Sequence, residues 1–149
     1  MKGYLLDTNI CIFYMKGRYQ LDEKIAKVGQ NNCYISEITV AELLFGAARS
    51  ANKEKHLKQI ASFIGQFKIL PIYNTLSVFA DKKAELYAKG QPIEDFDILI
   101  GATAIYHKLV MITENVKHLN HLSSIKIENW IDKVKARQPN YRFTHQAVI

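Results

Sequence analysis

Short apolar, β-rich runs alternate along the chain with stretches whose apolar residues recur at helical spacing. Tyr4-Leu5-Leu6, Cys33-Tyr34-Ile35, Lys68-Ile69-Leu70, Leu109-Val110-Met111-Ile112 and Ile125-Lys126-Ile127 have the length and composition of short buried strands. Val40, Leu43, Leu44, Ala47 and Ala48 fall at i, i+3, i+4, i+7 and i+8, which is one stripe of a helix. From Asp97 to about His107 the chain is apolar nearly all round (Ile98, Leu99, Ile100, Ala102, Ala104, Ile105), which predicts a central helix. Strands alternating with helices predict right-handed crossovers and a parallel sheet covered on both faces. The expected fold class is therefore a three-layer α/β/α sandwich around a central parallel sheet of roughly four to five strands.

With 149 residues, 48% of them apolar and 23% charged, the chain has the makings of one folded domain rather than a disordered segment. Prolines stand singly at 71, 92 and 139, and no Gly/Ser/Pro-rich linker divides the sequence. The domain is expected over 1–132. It is followed by a basic tail, 133–149, that carries Lys133, Lys135, Arg137 and Arg142 beside Tyr141 and Phe143. No apolar run approaches the ~20 residues of a membrane span, and the N-terminal stretch lacks the features of a signal peptide. The expected location is the cytoplasm. Cys11 and Cys33 have neither CxxC spacing nor histidine partners, and they read as two buried, reduced thiols.

In open parallel sheets, ligands bind outside the carboxyl ends of the strands. Asp7-Thr8-Asn9 follows the first run. Ser36-Glu37-Ile38-Thr39 follows the second, with Glu42 one turn into the next helix. Thr113-Glu114-Asn115 follows the fourth, and Glu94-Asp95-Phe96-Asp97 opens the central helix at the same rim. Carboxylates crowded this way repel one another unless a cation sits among them. Oxygen ligands of this kind suit Mg²⁺ or Mn²⁺, which bind phosphate oxygens and activate water. Lys plus Arg outnumber Asp plus Glu by 20 to 14, a net charge of +6 that attracts polyanions to the rest of the surface.

Each residue also has a structural reading. Asp7 suits an Asx-turn or a helix N-cap. Thr39-Val40-Ala41-Glu42 is a capping box, so at this stage Glu42 reads equally as cap or as ligand. Asp97 suits a cap, whereas Glu94 and Asp95 read better as acids favouring the helix dipole. Thr113 and Asn115 are ordinary turn residues.

Together, YLLDTNI, ISEITVAELLFGA, GQPIEDFDILIGATAIYHKLVMITENVKHL and IKIENW resemble, in order and spacing, the PIN-domain ribonucleases, and most closely the VapC toxins of bacterial toxin–antitoxin pairs. The resemblance spans roughly residues 3 to 130 and requires several motifs to match at once. It implies that Asp7, Glu42 and Asp97 occupy the family's acidic positions and bind Mg²⁺ or Mn²⁺. The fourth acidic position falls on Asn115, whose neutral amide favours one ion over two. Thr8 and Asn9 are expected to steady the site, and Thr113 or Asn115 to hold a water or a substrate oxygen.

The implied reaction is hydrolysis of an RNA phosphodiester by metal-activated water, with a transfer RNA as a frequent target. The implied partners are an antitoxin whose C-terminal segment covers the acidic groove and a second copy of the chain. Lys16, Arg18, Lys108, Lys117 and His118 are candidates for holding RNA phosphates. The substitution at Asn115 also suits a PIN-like module that binds RNA or protein without cutting. Phosphatases of similar fold use D-x-D after the first strand, where this chain has D-T-N. No G-x-G-x-x-G follows a strand, which excludes dinucleotide binding.

Overall fold

The computed structural model describes residues 2–133. Of the expected tail, 134–149 lies outside the described residues. Among the described residues, five strands form one sheet: β1 (Tyr4–Leu6), β2 (Cys33–Ser36), β3 (Lys68–Leu70), β4 (Val110–Ile112) and β5 (Lys126–Glu128). All neighbours pair in parallel, in the order β3-β2-β1-β4-β5. The helices are α1 (Thr8–Met15), α2 (Leu21–Val28), α3 (Glu37–Ala48), α4 (Lys53–Ile64), α5 (Leu76–Ala88), α6 (Asp95–Tyr106) and the short α7 (Val116–Leu119).

Alternation along the strands divides the core into two layers. Tyr4 and Leu6, Cys33 and Ile35, and Val110 and Ile112 pack with Ile10, Leu21, Leu43 and Ile60 from α1 to α4. Leu5 and Met111 point the other way, onto Leu86, Ile98, Ile100 and Leu119 from α5 to α7. This is the expected three-layer sandwich. As the pattern requires, β1 and β4 are buried throughout, whereas Lys68 and Ile69 of the edge strand β3 are exposed. An edge strand has a neighbour on one side only, so the expectation of burial fails there.

Two helices differ from their sequence pattern. The central helix begins at Asp95 rather than Asp97, which places Asp97 inside its first turn. The α3 helix begins directly after β2, with Ser36 as its N-cap, and buries Ile38, Thr39, Leu43, Gly46 and Ala47. Leu44, expected in the buried stripe, is 43% exposed. The Ser36 cap starts the helix earlier than the stripe suggests. Packing against α1, α4 and α6 then turns the face carrying residues 38, 39, 43, 46 and 47 inward.

The strand order creates a switch point. The chain moves from β1 outward through β2 to β3, then crosses back to place β4 on the other side of β1. Connections leaving β1 and β4 diverge and leave a crevice at their carboxyl ends. The packing of α3 is checked by two adjacent truncations in urea melts. Leu43→Ala is expected to cost about 2–5 kcal/mol, and Leu44→Ala less than about 0.5 kcal/mol. Equal losses at the two positions would contradict the observed rotation.

Candidate active site

Asp7 follows β1 directly and is 6% exposed. Its extended backbone makes it the N-cap of α1: Oδ1 accepts the Thr8 N–H at 2.8 Å. Its other oxygen, Oδ2, accepts the Thr113 hydroxyl at 2.7 Å from the end of β4. Thr113 is wholly buried, and its oxygen accepts the Asn115 N–H at 2.9 Å. With its proton committed to Asp7, Thr113 serves to hold that carboxylate rather than a substrate oxygen. Burial raises the Asp7 carboxyl above its ordinary pKa, and the bonds from Thr113 and Thr8 oppose that shift. The functional and capping readings of Asp7 are therefore compatible, because capping uses only one lone pair of Oδ1.

Thr8 joins this corner to α3. Its hydroxyl donates to Glu42 Oε1 at 2.6 Å and lies 3.0 Å from the hydroxyl of the fully buried Thr39. Thr8 has one proton to give, so with it on the carboxylate, Thr39 donates to Thr8. Glu42 thus sits at the end of a Thr39–Thr8–Glu42 relay, aimed at the rim. The capping-box alternative for Glu42 fails. Ser36 Oγ caps α3 by accepting the Ile38 N–H at 3.0 Å, and Glu37 accepts the Ile72 N–H at 2.9 Å.

Asp97 is the third residue of α6 and half-buried, and no hydrogen bond or ion pair to it occurs among the described residues. Its carboxyl is pushed up to about 6, first by burial and then by the charges of Asp7, Glu42 and Glu94, with His118 opposing. The neighbouring acids behave differently. Asp95 is drawn away into an ion pair with Lys83 at 2.8 Å. Glu94 occupies the N-cap position of α6 without a side-chain capping bond, so its charge bears on Asp97.

Two cavities flank this acidic centre. One, of about 550 Å³, is lined by Asp97, Glu94, Asn115, His118, Lys83 and Tyr87 among others. The other, of about 430 Å³, is lined by Thr8, Asn9, Glu42, Phe45, Arg49 and Phe96 among others. Asn9 is exposed on the rim of the second, with no side-chain hydrogen bond among the described residues. Lys16, Arg18, Lys108 and Lys117 line neither cavity. His118, one turn of α7 beyond Asn115, lies beside the acids. That i, i+3 spacing was the only sequence signal that could have paired the two.

The donor set fits a hard cation. Every group is an oxygen ligand, each Asp7 oxygen keeps a further lone pair, and Asp97 has no partner to neutralise it. Among the described residues, no three Asp, Glu, His or Cys side chains converge closely enough to enclose an ion. Asp97 and Glu42 each line an open cavity, which leaves room for an ion that keeps much of its water.

Residues 4–123 match the PIN domain family. The chain belongs to that family. Over 131 residues it is 30% identical to the tRNA(fMet)-specific endonuclease VapC of Salmonella typhimurium, covering 87% of this chain and 99% of that one. It is 34% identical over 134 residues to Ribonuclease VapC2 of Haemophilus influenzae, covering 88% of this chain and all of the other. Its fold is similar to a chain of the DNA-bound VapBC of Salmonella typhimurium, with a TM-score of 0.81, 30% identity and coverage of 87% and 99%. It is also similar to a chain of VapBC2 of Rickettsia felis bound to a promoter DNA fragment, with a TM-score of 0.80, 28% identity and coverage of 85% and 98%. Among PIN-domain proteins, then, it falls with the VapC ribonucleases.

The raised Asp97 carboxyl has a consequence for stability. Its folded-state value of about 6 exceeds the ordinary 3.8, so the stability it contributes is complete below about pH 4 and lost as pH rises through 6. Melts of metal-free protein are expected to show this decline. Asp97→Asn should flatten it and raise stability at pH 7 by on the order of 1 kcal/mol after solvent screening, about 2–4 °C in Tm. A wild-type profile that rises across pH 4–6 as steeply as it should fall would contradict the assignment.

Proposed function

We propose that this chain is a VapC-type endoribonuclease toxin whose acidic centre, Asp7, Glu42 and Asp97, works with one divalent cation, Mg²⁺ or Mn²⁺. The observation that carries the site assignment is the unpartnered, half-buried Asp97 carboxylate, set among Asp7, Glu42 and Glu94. A fold does not keep such repulsion for its own stability, and clustered perturbed carboxylates mark functional sites. Asp7, Asp97 and Glu42 are the residues that would hold the cation. One or two of them would do so directly and the remainder through water, because Mg²⁺ retains several waters.

When bound, the cation supplies charge neutralisation for the phosphate and a more acidic water. The chain's own residues supply the geometry. Thr113 and the Thr8 N–H fix both oxygens of Asp7, and the Thr39–Thr8 relay fixes Glu42. Such partners orient the ligating groups and preserve their charge. Asn115 stands in the same cavity as Asp97, where its amide can hydrogen-bond a phosphate oxygen or the attacking water without adding charge. In the cleavage, the water oxygen forms its bond to phosphorus as the bond to the 3′ oxygen breaks. That oxygen takes up a proton and leaves a 5′-phosphate on the other fragment.

A transfer RNA substrate and a VapB-like antitoxin are part of the same reading. They are supported by the VapC names of the relatives and by the VapBC complexes among similar structures. An acidic groove offers such an antitoxin a place for a basic side chain. Homodimerisation is supported by the exposed Ile69, Tyr73 and Leu76, which lie in the edge strand β3 and the segment that follows it. No helix among the described residues is long and apolar enough to cross a membrane. A cytoplasmic setting is supported by the two unpaired, buried cysteines. The family match and the end of β5 support a domain over 1–132.

The purified full chain is expected to cut transfer RNA with Mn²⁺ or Mg²⁺ and to stop on chelation. Asp7→Asn and Asp97→Asn should each slow cutting roughly 100-fold or more. Thr113→Val, which frees Asp7 and removes the acceptor of the Asn115 N–H, should cost about 10–100-fold. Glu42→Gln should weaken Mn²⁺ binding with little change in Tm. RNA binding without cleavage in either ion would instead favour the non-cutting module.

A further inference from the structure

The first turn of α6 separates the two cavities. Asp97 lines one, while the adjacent Phe96 lines the other together with Phe45, Arg49, Thr8, Asn9 and Glu42. The second cavity therefore continues the acidic centre through Thr8 and Glu42, but its outer walls are aromatic. Phe45 is 66% exposed and Phe96 49% exposed. The Arg49 guanidinium lies over the Phe45 ring, 5.6 Å from its centroid, and forms no ion pair with an acid among the described residues. Two rings that keep about half or more of their area exposed, beside a cation with no ion pair among the described residues, leave apolar surface that adds nothing to folding.

Resting on the ribonuclease reading above, we propose that Phe45 and Phe96 form a stacking subsite for a nucleobase of the RNA strand next to the scissile phosphate, with Arg49 holding the adjoining phosphate. Single-stranded nucleic acid is held by aromatic faces together with cations that follow its backbone. Charge favours this cavity over the other. Glu94 and Asp97 face the first cavity, where Lys83 is already paired to Asp95. In the second, Arg49 stands against Glu42 alone. A strand whose phosphate lies at the acidic centre meets its complementary surface on the Phe45 side. The opposite wall repels the next phosphate. Arg49 also lies over one face of the Phe45 ring, which leaves the other face for stacking.

The test uses the full chain and a short single-stranded RNA of mixed sequence carrying 2-aminopurine, whose fluorescence changes on stacking. With Asp97→Asn present to prevent cutting, binding is expected to quench the probe. Adding Phe45→Ala or Phe96→Ala should abolish the quench and weaken binding roughly 5- to 100-fold. In the cleaving chain the same substitutions should raise KM with kcat nearly retained, Phe45→Trp should restore KM, and Arg49→Gln should raise KM and lessen its salt dependence. Both rings are exposed, so these variants retain the fold, and unchanged Mn²⁺ binding verifies that the acidic centre is intact.

An unaltered KM with a persisting quench would overturn the subsite. So would an unaltered KM accompanied by weaker neutralisation by a protein antitoxin, which would reassign the rings to protein docking. Failure of the unsubstituted chain to cut any RNA with Mn²⁺ would overturn the ribonuclease reading instead. Stacking would then stand or fall on the fluorescence alone.

Discussion

The hydrogen bond from Thr113 to Asp7 ties together the ends of the two strands that flank the sheet's switch point. Asp7 is also the N-cap of α1, so one buried carboxylate ends β1, starts a helix and receives β4. A buried carboxylate is costly unless its oxygens are bonded. Here one backbone N–H and one hydroxyl meet that need, and bonds to a charged acceptor contribute about 1.5–3 kcal/mol each. Each partner takes one lone pair of one oxygen and leaves a second on each. The remainder of the site is arranged about that fixed point.

The other two carboxylates are held to different degrees. Glu42 is tethered through Thr8 to Thr39, so its position depends on the packing of α1 against α3. Asp97 has only its helix. Its place in the first turn of α6 gives it the favourable end of the helix dipole, an effect of a few tenths to about 1 kcal/mol at exposed sites. That does not cancel the burial and the neighbouring charges that together push it to about 6. The fold therefore keeps a local electrostatic conflict whose natural resolution is a cation, and such local violations of stability are expected at functional sites. Asn115, which lines the same cavity as Asp97, adds no charge to that conflict.

The surroundings are unequal on the two sides of that centre. Acids, His118 and the Lys83–Tyr87 pair bound one cavity, and two phenylalanine rings with an arginine that has no ion pair among the described residues bound the other. This inequality follows from adjacent residues in one helix. At 100° per residue, the side chains of Phe96 and Asp97 leave α6 in different directions, and the sheet places the helix start where those directions open into separate spaces. A directional substrate such as a nucleic acid strand can be read by such an arrangement, whereas a symmetric ring of acids could not distinguish one end from the other.

Much of this was legible in the chain itself. All five strand runs form strands, because β-rich segments bounded by polar turns carry their own local signal. The apolar central helix and the positions of Asp7 and Asp97 at the strand-end rim could be read for the same reason. Glu42 could not be decided, since a capping box and a ligand look identical over four residues. Only the end of β2 shows that Ser36 already caps α3 and frees Glu42 for Thr8. The three acids of α6 likewise share one local pattern. Lys83, reaching in from α5, takes Asp95 and leaves Asp97 unpaired. The sequence by itself determined the elements and the acids at their ends, because these depend on short-range periodicity and composition. Tertiary structure alone decided the strand order, the inward face of α3 and which carboxylates stand without partners, because each depends on a contact between residues far apart in the chain.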